Sequence, residues 1–344
     1  METYTEALSI RSMLDSRHPL KVKALTASSL HKLAFSLEKQ GEIEKAAWAT
    51  GEAASIRREL HQLQSSVYKV DLATSLFNHS VYLEKLKLYS DASRTIDEVK
   101  PLFQELATAQ PGKFQPRLAT AFHSNGVYME MVGDFTKASE EMRQAVIYRR
   151  ELASKNPASH RTELVQSLYN LGVYLEKQRD FKEAAEVAGE AIVVLRQLAI
   201  SEPDSYQPKL ASTLHNRAVY LEMSKVITEA SELMAEAVAI RTVLALHNPA
   251  RFKADLSHSL YNYGVYLGKL GRQRDALDVL RQAVENYREL IKRQPDVYRP
   301  KLVRSLETLG VCLRKLGLSG EAGVVYEEAM SARKPGKYAF TAYT

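Results

Sequence analysis

The sequence of 344 residues contains one cysteine, one tryptophan and no long apolar run. Cys312 alone can form neither an internal disulfide nor a thiolate metal cage, which excludes disulfide-stapled secreted domains and zinc ribbons. No stretch approaches the roughly 18 consecutive apolar residues that a membrane span needs. The opening METYTEALSIRSMLDSRHP brings acids early and lacks the apolar core of a signal peptide. Glycine-rich phosphate loops and paired-cysteine motifs are missing. No cofactor or metal is therefore expected, and the chain reads as a non-enzyme of the cytoplasm. What is present is the composition of a folded protein: 45% hydrophobic and 26% charged residues, with 47 Lys and Arg against 41 Asp and Glu.

The chain repeats itself. The segment SLYNLGVYLEKQRDFKEA, from Ser167 to Ala184, returns as SLFNHSVYLEKLKLYSDA from Ser75, AFHSNGVYMEMVGDFTKA from Ala121, TLHNRAVYLEMSKVITEA from Thr213 and SLYNYGVYLGKLGRQRDA from Ser259. Weaker copies start at Ser29 and Ser305, and every start lies 46 residues from the next. A register held without insertion over seven copies requires each copy to be one structural unit that meets its neighbours in the same way.

Within a unit, Leu164, Leu168, Leu171 and Leu175 step by three or four and make one helix face; Phe181, Ala184, Ala188, Ala191, Leu195 and Leu198 make a second. A turn around Gln178 to Asp180 separates them. Its phase holds Gly41, Gly133, Gly271 and Gly317 in other copies, as suits a helix C-terminus. Pro19, Pro111, Pro157, Pro203, Pro249 and Pro295 recur after the second helix and mark a connector of several residues. Two small positions predict close packing of the pair. One holds Ala34, Ser80, Gly126, Gly172, Ala218, Gly264 and Gly310; the other is alanine throughout, from Ala46 to Ala322.

The pattern Leu168, Leu171-Gly172, Leu175, Phe181, Ala184, Ala191 and a following proline resembles the tetratricopeptide (TPR) repeat. The resemblance covers residues 19 to 334 and implies an all-α, right-handed α-solenoid superhelix of about seven helix-turn-helix units. The usual unit has 34 residues, so the extra dozen are expected to lengthen both helices and the connector. Such long units resemble those of kinesin light chains and of fungal and bacterial TPR proteins; the nucleotide-binding or protease modules fused to some of these are not visible. Residues 1–18 read as a second helix whose first helix is missing, since Ala7, Arg11 and Leu14 precede Ala53, Arg57 and Leu60 by one period. Residues 335–344 form a tail. Such ends predict a piece of a larger protein, or self-association through uncapped ends.

The resemblance further implies that first helices line a concave groove. Their outward face carries three rows. One alternates His31, Phe77, His123, Tyr169, His215 and Tyr261; the next has Asn78, Asn170, Asn216 and Asn262; the third has Val81, Val127, Val173, Val219, Val265 and Val311. Amides can bond both sides of an extended peptide, and valines and rings offer shallow apolar pockets. This predicts a scaffold that binds an extended segment of a partner protein through Asn78, Asn170, Asn216, Asn262, His123, Tyr169, His215, Tyr261, Val127, Val173, Val219 and Val265. Asn at this phase contacts peptides in the resembling family; the competing reading is an inter-helix hydrogen bond. A carboxylate clamp from Lys32 and Asn78, or Asn262 and Arg304, is incomplete.

The Glu row (Glu38, Glu84, Glu130, Glu176, Glu222) suits either basic peptides or a mixed solvated rim. The Tyr row (Tyr82, Tyr128, Tyr174, Tyr220, Tyr266) suits an inter-repeat seam. Connector aromatics Tyr68, Phe114, Tyr206, Phe252 and Tyr298 are expected to plug gaps between units. Trp48 stands where other units carry charge, either as an outer-face contact or packed on the partial first helix. His31, His123 and His215 are two units apart and too distant to share a metal. The rival function is RNA binding through Arg57, Arg58, Arg149, Arg150, Arg196, Arg241 and Arg288. Neighbouring acids Glu59, Glu105, Glu151 and Glu289 make intrahelical ion pairs the simpler account, and nucleic acid an unfavoured partner.

Overall fold

The computed structural model describes residues 19–333, which include fourteen α-helices and no strand. In chain order these are α1 (Pro19–Lys39), α2 (Ile43–Leu63), α3 (Ser65–Lys85), α4 (Tyr89–Ala109), α5 (Pro111–Val132), α6 (Phe135–Lys155), α7 (Pro157–Lys177), α8 (Phe181–Ser201), α9 (Pro203–Met223), α10 (Ile227–His247), α11 (Pro249–Lys269), α12 (Gln273–Ile291), α13 (Pro295–Lys315) and α14 (Ser319–Arg333). Odd-numbered helices are the first members of each pair, called A; even-numbered ones are the second, B. The chain falls into two compact units, divided after Gln178. The first holds α1–α7 and the second α8–α14. Within each, a helix packs chiefly against the one before it and the one after it. The partial helix and the tail expected at the two ends lie outside the described residues.

Each A helix ends in the same way. Gly41 N–H donates to the Glu38 carbonyl and Glu42 N–H to the Leu37 carbonyl, both at 2.9 Å, closing a Schellman motif. The pattern returns at Lys87 and Leu88, Gly133 and Asp134, Lys225 and Val226, and Gly317 and Leu318. It requires a left-handed residue. Gly41, Gly133, Gly271 and Gly317 have φ between 78° and 89°, while Lys87, Arg179 and Lys225 take φ of 61° to 66° in spite of their side chains.

The passage from B to A differs from the expected loop. At five of the six junctions a single extended residue joins the helices, Gln64, Gln110, Asn156, Glu202 or Asn248; the sixth, between α12 and α13, has three residues, 292–294. The recurring proline is the first residue of the A helix, where its missing N–H has no intrahelical partner to lose. The extra dozen residues therefore lengthen the helices, most of which have 21 residues, and not the connector. Tyr68, Phe114, Tyr206, Phe252 and Tyr298 consequently sit in the first turns of A helices. Phe114 stacks on Phe103 of the preceding B helix at 6.5 Å, and Tyr298 meets Tyr287 at 6.4 Å.

The core is leucine and alanine at helical spacing. Leu168, Leu175, Ala184, Ala191 and Leu195 are fully buried, each leucine contributing about 1.5–3 kcal/mol. The small positions permit close contact. A Cβ on Gly126 would fall 2.9 Å from Met142 Cε and 3.1 Å from the Ala138 carbonyl oxygen; on Gly264 it would fall 2.6 Å from Leu280 Cγ.

Candidate functional site

Successive A helices touch directly through side chains, and these contacts decide what the A face can offer. Tyr82 donates to Glu38 (2.9 Å), Tyr128 to Glu84 (3.0 Å) and Tyr174 to Glu130 (2.7 Å), each reaching back one repeat. The Tyr row is thus an inter-repeat seam, as expected, with hydroxyls bonded to carboxylates and not to water. Burial and the Glu38 carboxylate hold the Tyr82 phenol up at about 12, and the same forces raise Tyr128, Tyr174 and Tyr266. Lys85 and Lys269 bridge back to Glu38 and Glu222. The Glu row is spoken for within the fold and is not a free acidic stripe for a basic peptide.

The His row belongs to a second network. Arg149, on α6, is 5% exposed; its guanidinium donates to the Glu163 carbonyl (2.8 Å), to Ser167 Oγ and to His123 Nδ1 (3.0 Å). His123 Nδ1 also lies 2.9 Å from Ser167 Oγ. Arg241 repeats the cluster with the Asp255 carbonyl (3.1 Å), Ser259 and His215 Nδ1 (3.2 Å). Arg57 does so with the Asp71 carbonyl (3.1 Å) and Ser75. Burial first, and the adjacent guanidinium second, push the His123 pKa down to about 3 and His215 well below the ordinary range.

These members recur every 92 residues, not every 46: Arg57, Arg149, Arg241; His31, His123, His215; Ser75, Ser167, Ser259. In the intervening pairs the Arg phase is Phe103, Leu195 and Tyr287, and the His phase is Phe77, Tyr169 and Tyr261. Phe77 and Phe103 pack at 6.3 Å. Polar and apolar seams alternate along the chain.

The candidate binding residues divide accordingly. His215 and Tyr261 are 5% and 8% exposed. Both are corrected from groove contacts to seam residues, because one is locked onto Arg241 and the other lies beneath Arg304, whose Nε donates to its hydroxyl at 2.8 Å. His123 is likewise held by Arg149 and Ser167. Asn78 pairs with His31 (3.0 Å) and Asn262 with His215 (3.4 Å), the inter-helix alternative for this row. Among the described residues Asn170 and Asn216 make no side-chain hydrogen bond and are half-buried at the A face. Tyr169 is 40% exposed; Val127, Val173, Val219 and Val265 are half-buried beside the amides. Two open clefts of the first unit share Asn78 as a wall. One, of about 440 Å³, includes Thr74, Phe77, Phe103, Pro116 and Arg117; the other, of about 220 Å³, includes His31, Phe35, Glu38, Thr50 and Val81.

The B helices offer no basic stripe. Arg57, Arg149 and Arg241 are buried. Arg58 forks onto Glu98 with two bonds of 2.7 Å, Arg196 pairs with Glu236 (2.7 Å) and Arg288 with Glu328 (2.6 Å). These pairs join successive B helices and add to the expected intrahelical pairing, which is present at Arg288 with Glu285 (3.1 Å) and at Glu151 with Lys155 (2.6 Å). Of the neighbouring acids, Glu59, Glu105 and Glu289 meet Lys23, Lys69 and Lys253 across the A/B pair. Cys312 is buried, its Sγ donating to the Gln273 carbonyl at 3.2 Å. Trp48 is 52% exposed on α2; its alternative packing on the partial helix falls outside the described residues. Among the described residues no group of three His, Cys, Asp or Glu could hold a metal, and no helix is long and apolar enough to cross a membrane.

The tetratricopeptide repeat family model matches residues 258–296. The solved structure of BtubC (BKLC) from P. vanneervenii is 17% identical, with a TM-score of 0.51, covering 74% of this chain and 96% of that one. The fold is a tetratricopeptide-like repeat array. RapI in its apo form is similar over 90% of this chain and 77% of its own, at 14% identity and a TM-score of 0.53. A STAND signal-transduction ATPase with a tetratricopeptide repeat sensor, from Pyrococcus horikoshii, is 12% identical with a TM-score of 0.56. It covers 91% of this chain, which spans 42% of that protein. No curated protein sequence matches the chain. The TPR-like repeats depart from the usual unit in their long helices and in the two-repeat alternation of their seams.

Proposed function

We propose that the chain is a protein-interaction scaffold that holds an extended segment of a partner along the face of its A helices. The observation that carries this reading is made once in each unit: Asn170 in the first and Asn216 in the second have no side-chain hydrogen bond within the described residues, at the phase where Asn78 and Asn262 are engaged in the seam. An Asn is a poor helix former, because its side chain competes for backbone bonds. Inside a helix, with no internal partner, it is best explained by an external one. Tyr169, Val173 and Val219 add apolar surface next to these amides. The RNA reading lacks its footprint, since the B-helix arginines are buried or paired. The lone, buried thiol of Cys312 fits a reducing compartment such as the cytoplasm.

The test is selection from a phage-displayed peptide library on the wild-type protein. Binding of the recovered peptides is then measured by fluorescence anisotropy on wild type and on Asn170→Ala/Asn216→Ala. Peptides that bind the double variant at least tenfold more weakly, at unchanged helicity, support the reading. Recovery of no peptide, or equal binding to both proteins, removes it.

A further inference from the structure

The A face carries a ladder of exposed charges, five of whose six members make no ion pair among the described residues. At the helix position seven residues before the amide row stand Asp71, Arg117, Glu163, Lys209, Asp255 and Lys301. All six are exposed. Their signs alternate without exception: negative, positive, negative in the first unit, and positive, negative, positive in the second. A separation of seven residues is two helical turns, so the ladder lies on the same helix face as the amides, about 10 Å toward the N-terminal ends.

Several charges of this protein are neutralised by the neighbouring repeat, as Glu38 is by Lys85 and Glu98 by Arg58. The ladder is different. Among the described residues Asp71, Arg117, Lys209, Asp255 and Lys301 have no side-chain ion pair, and Glu163 meets only His160, at 3.1 Å. The cations instead lie over the rings of Phe114, Tyr206 and Tyr298 in their own helices, at 5.9, 5.2 and 5.4 Å, and Arg117 Nη1 also donates to Thr74 Oγ1 of the preceding A helix at 3.3 Å. The alternation follows the 92-residue period of the seams. The backbone carbonyls of Asp71, Glu163 and Asp255 are the ones that Arg57, Arg149 and Arg241 hold, so the acidic rungs sit on fixed helix turns.

We propose that this ladder reads the charge pattern of the bound segment: an extended polypeptide whose acidic and basic side chains alternate at a step of about three residues. The step follows from geometry. Successive A helices in direct side-chain contact lie about 8–10 Å apart, and a polyproline-II-like extended chain advances about 3.1 Å per residue with three residues per turn, so that every third side chain faces the same way. The first unit therefore takes a basic, an acidic and a basic side chain in that order, opposite Asp71, Arg117 and Glu163. The second takes the inverse order opposite Lys209, Asp255 and Lys301. Like charges out of step face one another and are rejected, which gives register more than strength.

This rests on the groove reading, and its test separates the two. Three synthetic peptides of identical composition are titrated by fluorescence anisotropy at low salt. One alternates Lys and Glu every third residue among Ala, Ser and Gly; one alternates them at every second residue; one carries them in two blocks. The expected result is about tenfold tighter binding of the three-residue pattern, the sum of three exposed pairs, fading in 1 M salt. Arg117→Glu and Lys209→Glu, at exposed positions, are expected to abolish the preference while keeping wild-type helicity. Equal binding of the three peptides, or a preference insensitive to both substitutions, overturns the ladder. If library peptides still depend on Asn170 and Asn216 in that case, the groove stands without it. Sedimentation that shows wild type self-associating, and Arg117→Glu monomeric, would assign the ladder to a second copy of the chain and overturn the proposal as well.

Discussion

Arg149 Nη1 lies 3.0 Å from His123 Nδ1, so a buried guanidinium donates to a neutral imidazole. Protonating that ring would place two cations in contact. The other groups facing it from α6 and α7 are Ser167 and the Glu163 carbonyl, which already accept from Arg149.

Acid should therefore loosen the array. The folded pKa of His123, about 3, lies below the ordinary value of 6.5 for an unfolded chain, and His31 and His215 shift in the same direction. Above pH 6.5 both states are neutral and the stability is intact. As pH falls below 6.5 the unfolded chain gains protons first, and stability declines by about 1.4 kcal/mol per pH unit for each fully suppressed histidine. The urea midpoint is expected to drop between pH 7.5 and pH 5.5. The drop should shrink in His123→Asn/His215→Asn; an equal drop in that variant would assign the effect to other groups.

The Arg149 cluster should also suffer more from removal of one member than from replacement of the whole. Arg149→Leu takes from the buried Ser167 hydroxyl and His123 ring the guanidinium that donates to both, at a cost of about 1–3 kcal/mol. Adding His123→Phe converts the seam toward the apolar type in which Phe77 packs on Phe103. The double variant is expected to recover at least about 1 kcal/mol of that loss in urea denaturation, a non-additivity that two independent sites would not show.

The left-handed turn residues give a prediction of opposite sign. Lys225 holds φ of 66°, which costs a side-chain-bearing residue roughly 1–2 kcal/mol, against about 0.5–1 kcal/mol of extra chain entropy lost by glycine. Lys225→Gly should raise the urea midpoint slightly, by about 0.5 kcal/mol in stability. Gly264→Ala, whose new Cβ would fall 2.6 Å from Leu280 Cγ, should lower it by about 1–3 kcal/mol.

Tyr174→Phe isolates one rung of the Tyr–Glu seam. It removes the 2.7 Å bond to Glu130 and leaves the ring in place. A loss of about 1 kcal/mol is expected, read from thermal unfolding.

Most of the helix pairing was legible in the sequence, because a constant period and small residues at a constant phase dictate how units nest. Gly126 and Gly264 could be read as close approaches before any geometry was known. The connector was misread because a recurring proline looks alike in a loop and at the first position of a helix. The partners of Tyr82, Tyr128 and Tyr174 were hidden for a different reason. They lie 44 residues back, and the Glu row looks like any solvated rim until the seam is seen. Arg57, Arg149 and Arg241 were masked by their neighbours Arg58, Arg150, Arg196 and Arg288, which share their chemistry but face outward. Sorting the arginines by their phase in the 46-residue unit, and then comparing repeats two apart, would have separated the two sets, since Arg58, Arg150, Arg196 and Arg288 stand one position later than Arg57, Arg149 and Arg241. The same comparison would have exposed the charge ladder.

The alternation of seams sets a parity rule for altering the chain's length. Excising residues 65–110 keeps every helix intact, yet it would bring Arg57 against the carbonyl of Arg117 and against Ala121, which lacks the hydroxyl of Ser75. Excising 65–156 would restore a carbonyl and a serine, at Glu163 and Ser167, and with them a proper junction. Arrays of this design can be shortened or extended by even numbers of units at little cost, while odd changes leave a buried cation facing the wrong surface.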